Sequence, residues 1–130
     1  MGRAVRGRRL LLIDGDSISR TVLRHAFSTR GHTVSVAATA AEAIAIAASN
    51  PPEVVVYDWS FRDESGVGLA KQLRAAVPHP IVIVSLSVLD EPDGFRERED
   101  VDDYVVKPAL AESVELAFEH ALAGVTPRRL

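Results

Sequence analysis

The chain has 130 residues and no cysteine, which excludes a disulfide framework, a thiol nucleophile and any cysteine-ligated metal or cluster. Aromatic residues are scarce at 5%, with a single Trp, so a core must be assembled from the aliphatic side chains that dominate the 47% hydrophobic fraction. No apolar run approaches the about 20 residues that a membrane-spanning helix needs. The basic N-terminus is not followed by the apolar stretch and small-residue cleavage site of a secretion signal, so a cytoplasmic location is expected. At this length two separate cores would each be short of surface to bury, and one domain is expected.

An excess of positive charge is also missing. The net charge is -3, and four of the 15 basic residues (Arg3, Arg6, Arg8 and Arg9) fall in the first nine positions, leaving 11 against 18 acids for the rest. That body is a poor partner for nucleic acid. The leader, residues 1–9, reads as a solvated basic tail, and residues 124–130 as a C-terminal tail or the start of a linker. Acids gather again between Asp90 and Asp103, where eight carboxylates face Arg96 and Arg98 alone.

Within residues 10–123, strand and helix patterns alternate. Leu10–Ile13 is a short apolar run with the length and composition of a strand buried on both faces, and Thr33–Val36, Val54–Tyr57, Ile81–Val84 and Tyr104–Val106 read as the further strands. Between them, Ile18, Val22, Leu23, Ala26 and Phe27 recur at helical spacing, with Ser17 as the expected N-cap and Gly31 as the stop. Thr39 and Glu42 form a capping box ahead of an alanine-rich helix that Pro51 and Pro52 close. A third helical stripe (Val67, Leu69, Ala70, Leu73, Val77) ends before Pro78, and a last, mostly buried helix runs from about Glu112 to Ala123. Pro92 and Gly94 weaken the pattern of a fourth helix between the last two strands. Strands joined by crossover helices make a parallel α/β sheet with helices on both faces.

In such sheets, ligands bind beyond the carboxyl ends of the strands. Asp14 and Asp16 follow the first strand, Asp58 the third, Ser85 the fourth and Lys107 the fifth, so all five reach one edge. Each alone could cap a helix or close a turn. Together they suit one chemistry: clustered carboxylates take a hard cation such as Mg²⁺, a carboxylate can attack a phosphoryl group, and an ammonium and a hydroxyl can hold the phosphoryl oxygens. His25, His32, His79 and His120 lie at no metal-binding spacing and read as structural or solvated. Trp59 reads as a loop aromatic beside the site.

The blocks LLLIDGDSISR, VVVYDWS with Gly66 eight residues beyond Asp58, IVIVS and DDYVVKP resemble, in order, the receiver domain of two-component response regulators. The resemblance covers about Leu10 to Ala123. It implies a five-stranded sheet of order 2-1-3-4-5, the flavodoxin-like receiver fold, used as a signalling module rather than an enzyme. By this resemblance Asp58 is the phosphoacceptor and Lys107 contacts the phosphoryl group. Ser85 and Tyr104 are the switch pair. Asp14 and Asp58 hold Mg²⁺, with Asp16 and Ser60 as further candidate ligands. The implied donor is a sensor histidine kinase or phosphotransfer protein, and a downstream target would meet the fourth helix, fifth strand and fifth helix, with no membrane involved.

The sequence departs from the family pattern at several positions. Gly15 stands where the family usually has a second acid, Leu86 where a small residue commonly follows the switch hydroxyl, and Phe61–Arg62 where a Met-Pro pair is usual; the glycine usual before the switch tyrosine is missing from EDVDDY. An atypical receiver with weakened metal and phosphorylation chemistry, and Leu86 as a steric gate, is the resulting expectation. The main alternative is an interaction module that keeps the fold without phosphorylation. IDGDSI also resembles the first motif of haloacid-dehalogenase-type phosphatases, with Asp14 as nucleophile, but Asp58 would then be idle.

Overall fold

A computed structural model describes residues 6–58, 68–88, 94 and 100–124. Five strands, β1 (Arg9–Ile13), β2 (Thr33–Ala37), β3 (Val54–Asp58), β4 (Val82–Ser87) and β5 (Asp103–Val106), form one sheet of order β2-β1-β3-β4-β5, every pairing parallel. The described helices are α1 (Ser17–Thr29), α2 (Ala40–Ser49), α3 (Leu69–Ala76) and α4 (Ala111–Leu122). The expected fourth helix, between β4 and β5, lies outside the described residues apart from Gly94 and Asp100. None of the helices described is long and apolar enough to cross a membrane.

Side-chain alternation divides the strands between two apolar layers. Leu11, Ile13, Val55, Tyr57, Ile83 and Tyr104 pack beneath α2 and α3, while Leu10, Leu12, Val54, Val56, Val84 and Leu86 pack beneath α1 and α4 through Phe27, Val114 and Phe118. This two-sided burial explains why β1, β3 and the first half of β4 read as apolar runs, whereas the edge strand β2, TVSVA, is only partly buried. The sheet order reverses between β1 and β3, which opens the carboxyl edge where Asp14 and Asp58 stand.

Local chemistry sets the helix ends and corrects three expectations. Asp16, not Ser17, caps α1: its backbone is extended at φ -90 and ψ 120, and its Oδ2 accepts the Ser19 N–H at 3.0 Å, so Ser17 becomes the first helical residue. Gly31 does follow the helix at φ 95, a left-handed conformation that costs a residue without Cβ little. At α2, Thr39 Oγ1 accepts the Glu42 N–H as a capping box requires, but Glu42 reaches back to the N–H of Ala38 rather than that of Thr39. The last helix is buried on one face only, since Leu116 points outward at 59% exposure.

Leu86, the residue expected to gate access, is packed in the core. Its neighbours across the sheet are Asp58 on β3 and Val105 on β5, and its side chain is 1% exposed in the α1/α4 layer. Leu86→Ala is therefore expected to cost about 2–5 kcal/mol in a urea-unfolding experiment, from lost burial plus the cavity left behind. A loss below about 1 kcal/mol would mean that the site collapses around the smaller residue and that Leu86 carries little of the packing.

Candidate functional site

The carboxyl edge gathers its polar groups through sheet register. Ile13 pairs with Tyr57, so Asp14 and Asp58 occupy the next positions on neighbouring strands. Tyr57, Ser85 and Tyr104 form one row across β3, β4 and β5, and Asp58, Leu86 and Val105 form the next. Lys107, directly after β5, is tied to the sheet by its N–H, which donates to the Ser87 carbonyl at 2.6 Å, and its peptide bond to Pro108 is cis.

That placement brings Lys107 Nζ to 2.6 Å from Asp58 Oδ2, with the Asp58 side chain 3% exposed. A nearly buried carboxylate therefore has its charge offset by an ammonium at hydrogen-bond distance. Ser85 lies inside β4 rather than beyond it, because Leu86 and Ser87 continue the strand; it is fully buried, and its Oγ has no hydrogen-bond partner among the described residues. Asp14 is buried too. Its Oδ1 accepts the Asp16 N–H at 2.9 Å, while Oδ2 has no partner among the described residues.

Two buried, unpartnered oxygens beside a Lys–Asp pair test whether the residues fit Mg²⁺ and a phosphoryl group. A buried carboxylate oxygen without a donor is costly unless a cation or hydrogen bond satisfies it, and a hydroxyl can donate to an incoming anion. Asp14 Oδ2 and Ser85 Oγ have the chemical types for these two roles. The acidic set is small, however: no group of three or more metal-ligating His, Cys, Asp or Glu side chains converges among the described residues. Asp16 uses its carboxylate to cap α1, and Ser60 and Trp59 lie outside the described residues.

Tyr104 is 8% exposed and sits in the α2/α3 layer with Val101, so the edge strand presents its aromatic inward. Beside Lys107, a groove of about 340 Å³ is lined by Asp16, Ile18, Val22, Leu86, Lys107 and Pro108, among others. Ile18 and Val22, one turn apart on α1, stand exposed beside it.

Residues 10–118 match the response regulator receiver domain. The chain belongs to that family. The receiver is 34% identical over 100 residues to the transcriptional regulatory protein KdpE of Mycobacterium tuberculosis, covering 76% of this chain and 44% of that protein. It is 30% identical over 122 residues to the response regulator MprA of Mycolicibacterium vanbaalenii, covering 92% and 52%. It thus spans about half the length of these curated relatives. A two-component response regulator from Clostridium difficile superposes with a TM-score of 0.72 at 25% identity, over 89% of this chain and 95% of that one. Chemotaxis protein CheY4 of Vibrio cholerae, with a TM-score of 0.73 at 20% identity over 92% of this chain and 99% of that one, shares the fold. The expected family, fold class and strand order are therefore found, and the chain is a signalling module of two-component systems.

Sequence reasoning missed a second polar cluster, at the opposite, amino edge of the sheet. Glu115 on α4 is 3% exposed and accepts from Arg30 Nε at 2.8 Å, from Arg30 Nη2 at 2.6 Å and from His32 Nε2 at 2.8 Å. Since the Arg8 N–H donates to His32 Nδ1 at 3.0 Å, Nε2 is the nitrogen that bears the hydrogen given to Glu115. The Arg8 guanidinium holds Glu119 at 2.9 and 2.8 Å and lies 3.7 Å from Glu53. Arg8 is thus not the solvated residue expected of the leader. Burial alone would raise the Glu115 carboxyl, but the hydrogen bonds from Arg30 and His32 outweigh it and hold the group below its ordinary value. The one sequence signal was Glu115 itself, an acid beside Val114 on the inward face of an apolar stripe.

Proposed function

We propose that Asp58 is the phosphoacceptor of this receiver, with Lys107 and Ser85 holding the phosphoryl oxygens and Asp14 and Asp58 holding Mg²⁺. One observation carries the reading: Lys107 Nζ on Asp58 Oδ2 at 2.6 Å, in the sheet row next to a buried Ser85 whose Oγ has no partner among the described residues. In the transfer step an Asp58 carboxylate oxygen attacks phosphorus and the bond to the leaving group breaks, its electron pair departing with that group. Mg²⁺, when bound, supplies charge to the phosphoryl oxygens as negative charge develops there. Lys107 moves from the carboxylate to the phosphoryl oxygens, and Ser85 donates its hydroxyl hydrogen to one of them.

The protein donor is a sensor histidine kinase or phosphotransfer protein, which carries the phosphoryl group on an imidazole nitrogen. Ser85 and Tyr104 are adjacent in register and constitute the switch: a hydroxyl drawn towards a phosphoryl group changes the space available to the neighbouring ring. Signal output runs through β5 and α4, which expose Val106 and Leu116, together with the segment between β4 and β5. The test is labelling with acetyl phosphate and Mg²⁺ followed by peptide mass analysis. The acid-labile phosphoryl group is expected on the peptide containing Asp58. Label on Asp14 instead would favour the hydrolase chemistry, and no label under any donor would favour the phosphorylation-independent module.

The receiver is atypical in its metal site. With Gly15 next to Asp14 and the Asp16 carboxylate capping α1, the proposed site offers two carboxylates among the described residues, Asp14 and Asp58, and part of the Asp58 charge is already offset by Lys107. Gly15→Asp is expected to tighten Mg²⁺ binding by about tenfold in a calorimetric titration, because added ligand charge offsets dehydration of a small cation. Unchanged affinity would show that this position does not face the ion.

A further inference from the structure

Asp14 is held on several sides at once. Its N–H donates to the Ala37 carbonyl at 3.1 Å, its own carbonyl accepts Arg20 Nη1 at 2.8 Å, and its Oδ1 accepts the Asp16 N–H at 2.9 Å. Only Oδ2, buried and without a partner among the described residues, is left for another species. The Asp16 carboxylate is engaged elsewhere, since its Oδ2 accepts the Ser19 N–H at 3.0 Å. For that oxygen to reach a cation it would have to uncap α1.

We infer that Asp16 is a positioning residue for the metal site, acting through its peptide N–H on Asp14 and not through its carboxylate. The inference rests on the proposed Mg²⁺ site at Asp14 and Asp58. A carboxylate free to turn about its last torsion loses that freedom when it binds a cation, and a donor fixed on one oxygen removes most of this loss in advance. The cap gives the donor its own rigidity: with the Asp16 side chain fastened to Ser19, the intervening Gly15 cannot carry the peptide N–H away from Asp14. The spacing of the two acids then has one purpose on each side of the glycine, ligation at Asp14 and anchorage at Asp16.

Calorimetric titration of the full chain with Mg²⁺ separates the two roles of Asp16. Asp16→Ser keeps the N–H and a capping oxygen but removes the carboxylate, and its affinity is expected to stay within about threefold of the parent, the change an exposed and screened charge allows. Asp16→Pro removes the N–H together with the capping oxygen that Asp16→Ser retains, draws φ from the observed -90 towards about -65, and is expected to bind about tenfold more weakly or worse. Asp14→Asn should abolish binding. A serine variant as weak as Asp14→Asn would make the Asp16 carboxylate a ligand, and a proline variant as tight as the parent would make the N–H dispensable; either overturns the inference. Normal binding by Asp14→Asn would instead sink the metal reading beneath it, a failure visible in that variant alone. Should the proline chain not fold, the Asp16 amide resonance of the unsubstituted protein decides. It is expected to shift on Mg²⁺ addition with the calorimetric midpoint, and an amide unmoved while Mg²⁺ binds would overturn the inference equally.

Discussion

Replacing Asp58 with asparagine is expected to reduce phosphoryl labelling by acetyl phosphate on the order of 10³-fold or more, as loss of a nucleophile does, while leaving the fold intact. Asparagine matches the carboxylate in shape, and its carbonyl oxygen can still accept the Lys107 ammonium that now donates to Oδ2 at 2.6 Å. What it lacks is an anionic oxygen able to form the acyl phosphate. The decisive measurement pairs the labelling rate with a thermal melt on the same sample: lost labelling in a chain that still unfolds cooperatively assigns the nucleophile. Labelling at the parent rate would place the phosphoacceptor elsewhere, and Asp14→Asn would then be the next variant to label.

The loss is also expected to be specific to Asp58 among the acids of the edge. Asp14→Asn leaves the Asp58–Lys107 pair in place, so it should slow labelling through the metal and not abolish the acceptor. This contrast depends on register, which sets Asp14 and Asp58 at corresponding ends of β1 and β3 while giving Lys107 to Asp58.

Register also explains what could be read from the sequence and what could not. The strands announce themselves because a doubly covered parallel sheet demands unbroken apolar runs, and LLLI, VVVY and IVIV are such runs. Asp14, Asp58 and Lys107 could be placed at the carboxyl edge because each sits at or next to the point where its run stops. Ser85 was misplaced by the same logic: β4 is a central strand, hydrogen-bonded on both sides, so burial continues past the last apolar residue of the run through Ser85 and Ser87. Leu86, the residue expected as a gate, follows the hydroxyl in sequence but does not share its face. On a strand it takes the opposite one, and that face is the α1/α4 core. Ser17 and Asp16 could not be separated as caps, since both residue types suit the position and only backbone dihedrals decide. The Arg30–His32–Glu115 cluster was illegible for a different reason: its members are 83 and 85 residues apart and meet only when α4 packs across the start of β2.

That cluster carries the second large expected effect. Glu115→Ala is expected to destabilise the receiver by about 3 kcal/mol near neutral pH, the range found when one member of a buried ion pair is removed. The deletion leaves His32, whose side chain is fully buried, with a ring N–H that has lost its acceptor, and it leaves Arg30 without its carboxylate. Glu115→Gln should cost less, since one amide oxygen can still accept from His32. The sign of the acid response follows from the depressed carboxyl. Its folded value lies below the ordinary 4.5, so the folded state binds fewer protons there than the unfolded one. The stabilisation is complete above that ordinary value and is lost as pH falls through the folded value. Urea midpoints of parent and Glu115→Ala should therefore be widely separated at about pH 7 and converge as the solution is acidified below the ordinary glutamate range. Glu53, whose carboxyl is held low by the Arg9 N–H and by Arg9, Arg6 and Arg8 against its own burial, adds to the parent's acid response in the same direction. The convergence is therefore read from the difference between the two chains, in which the Glu53 contribution cancels. A separation that stays constant with pH would show that Glu115 stabilises by packing alone, and a separation that widens on acidification would reverse the assigned sign.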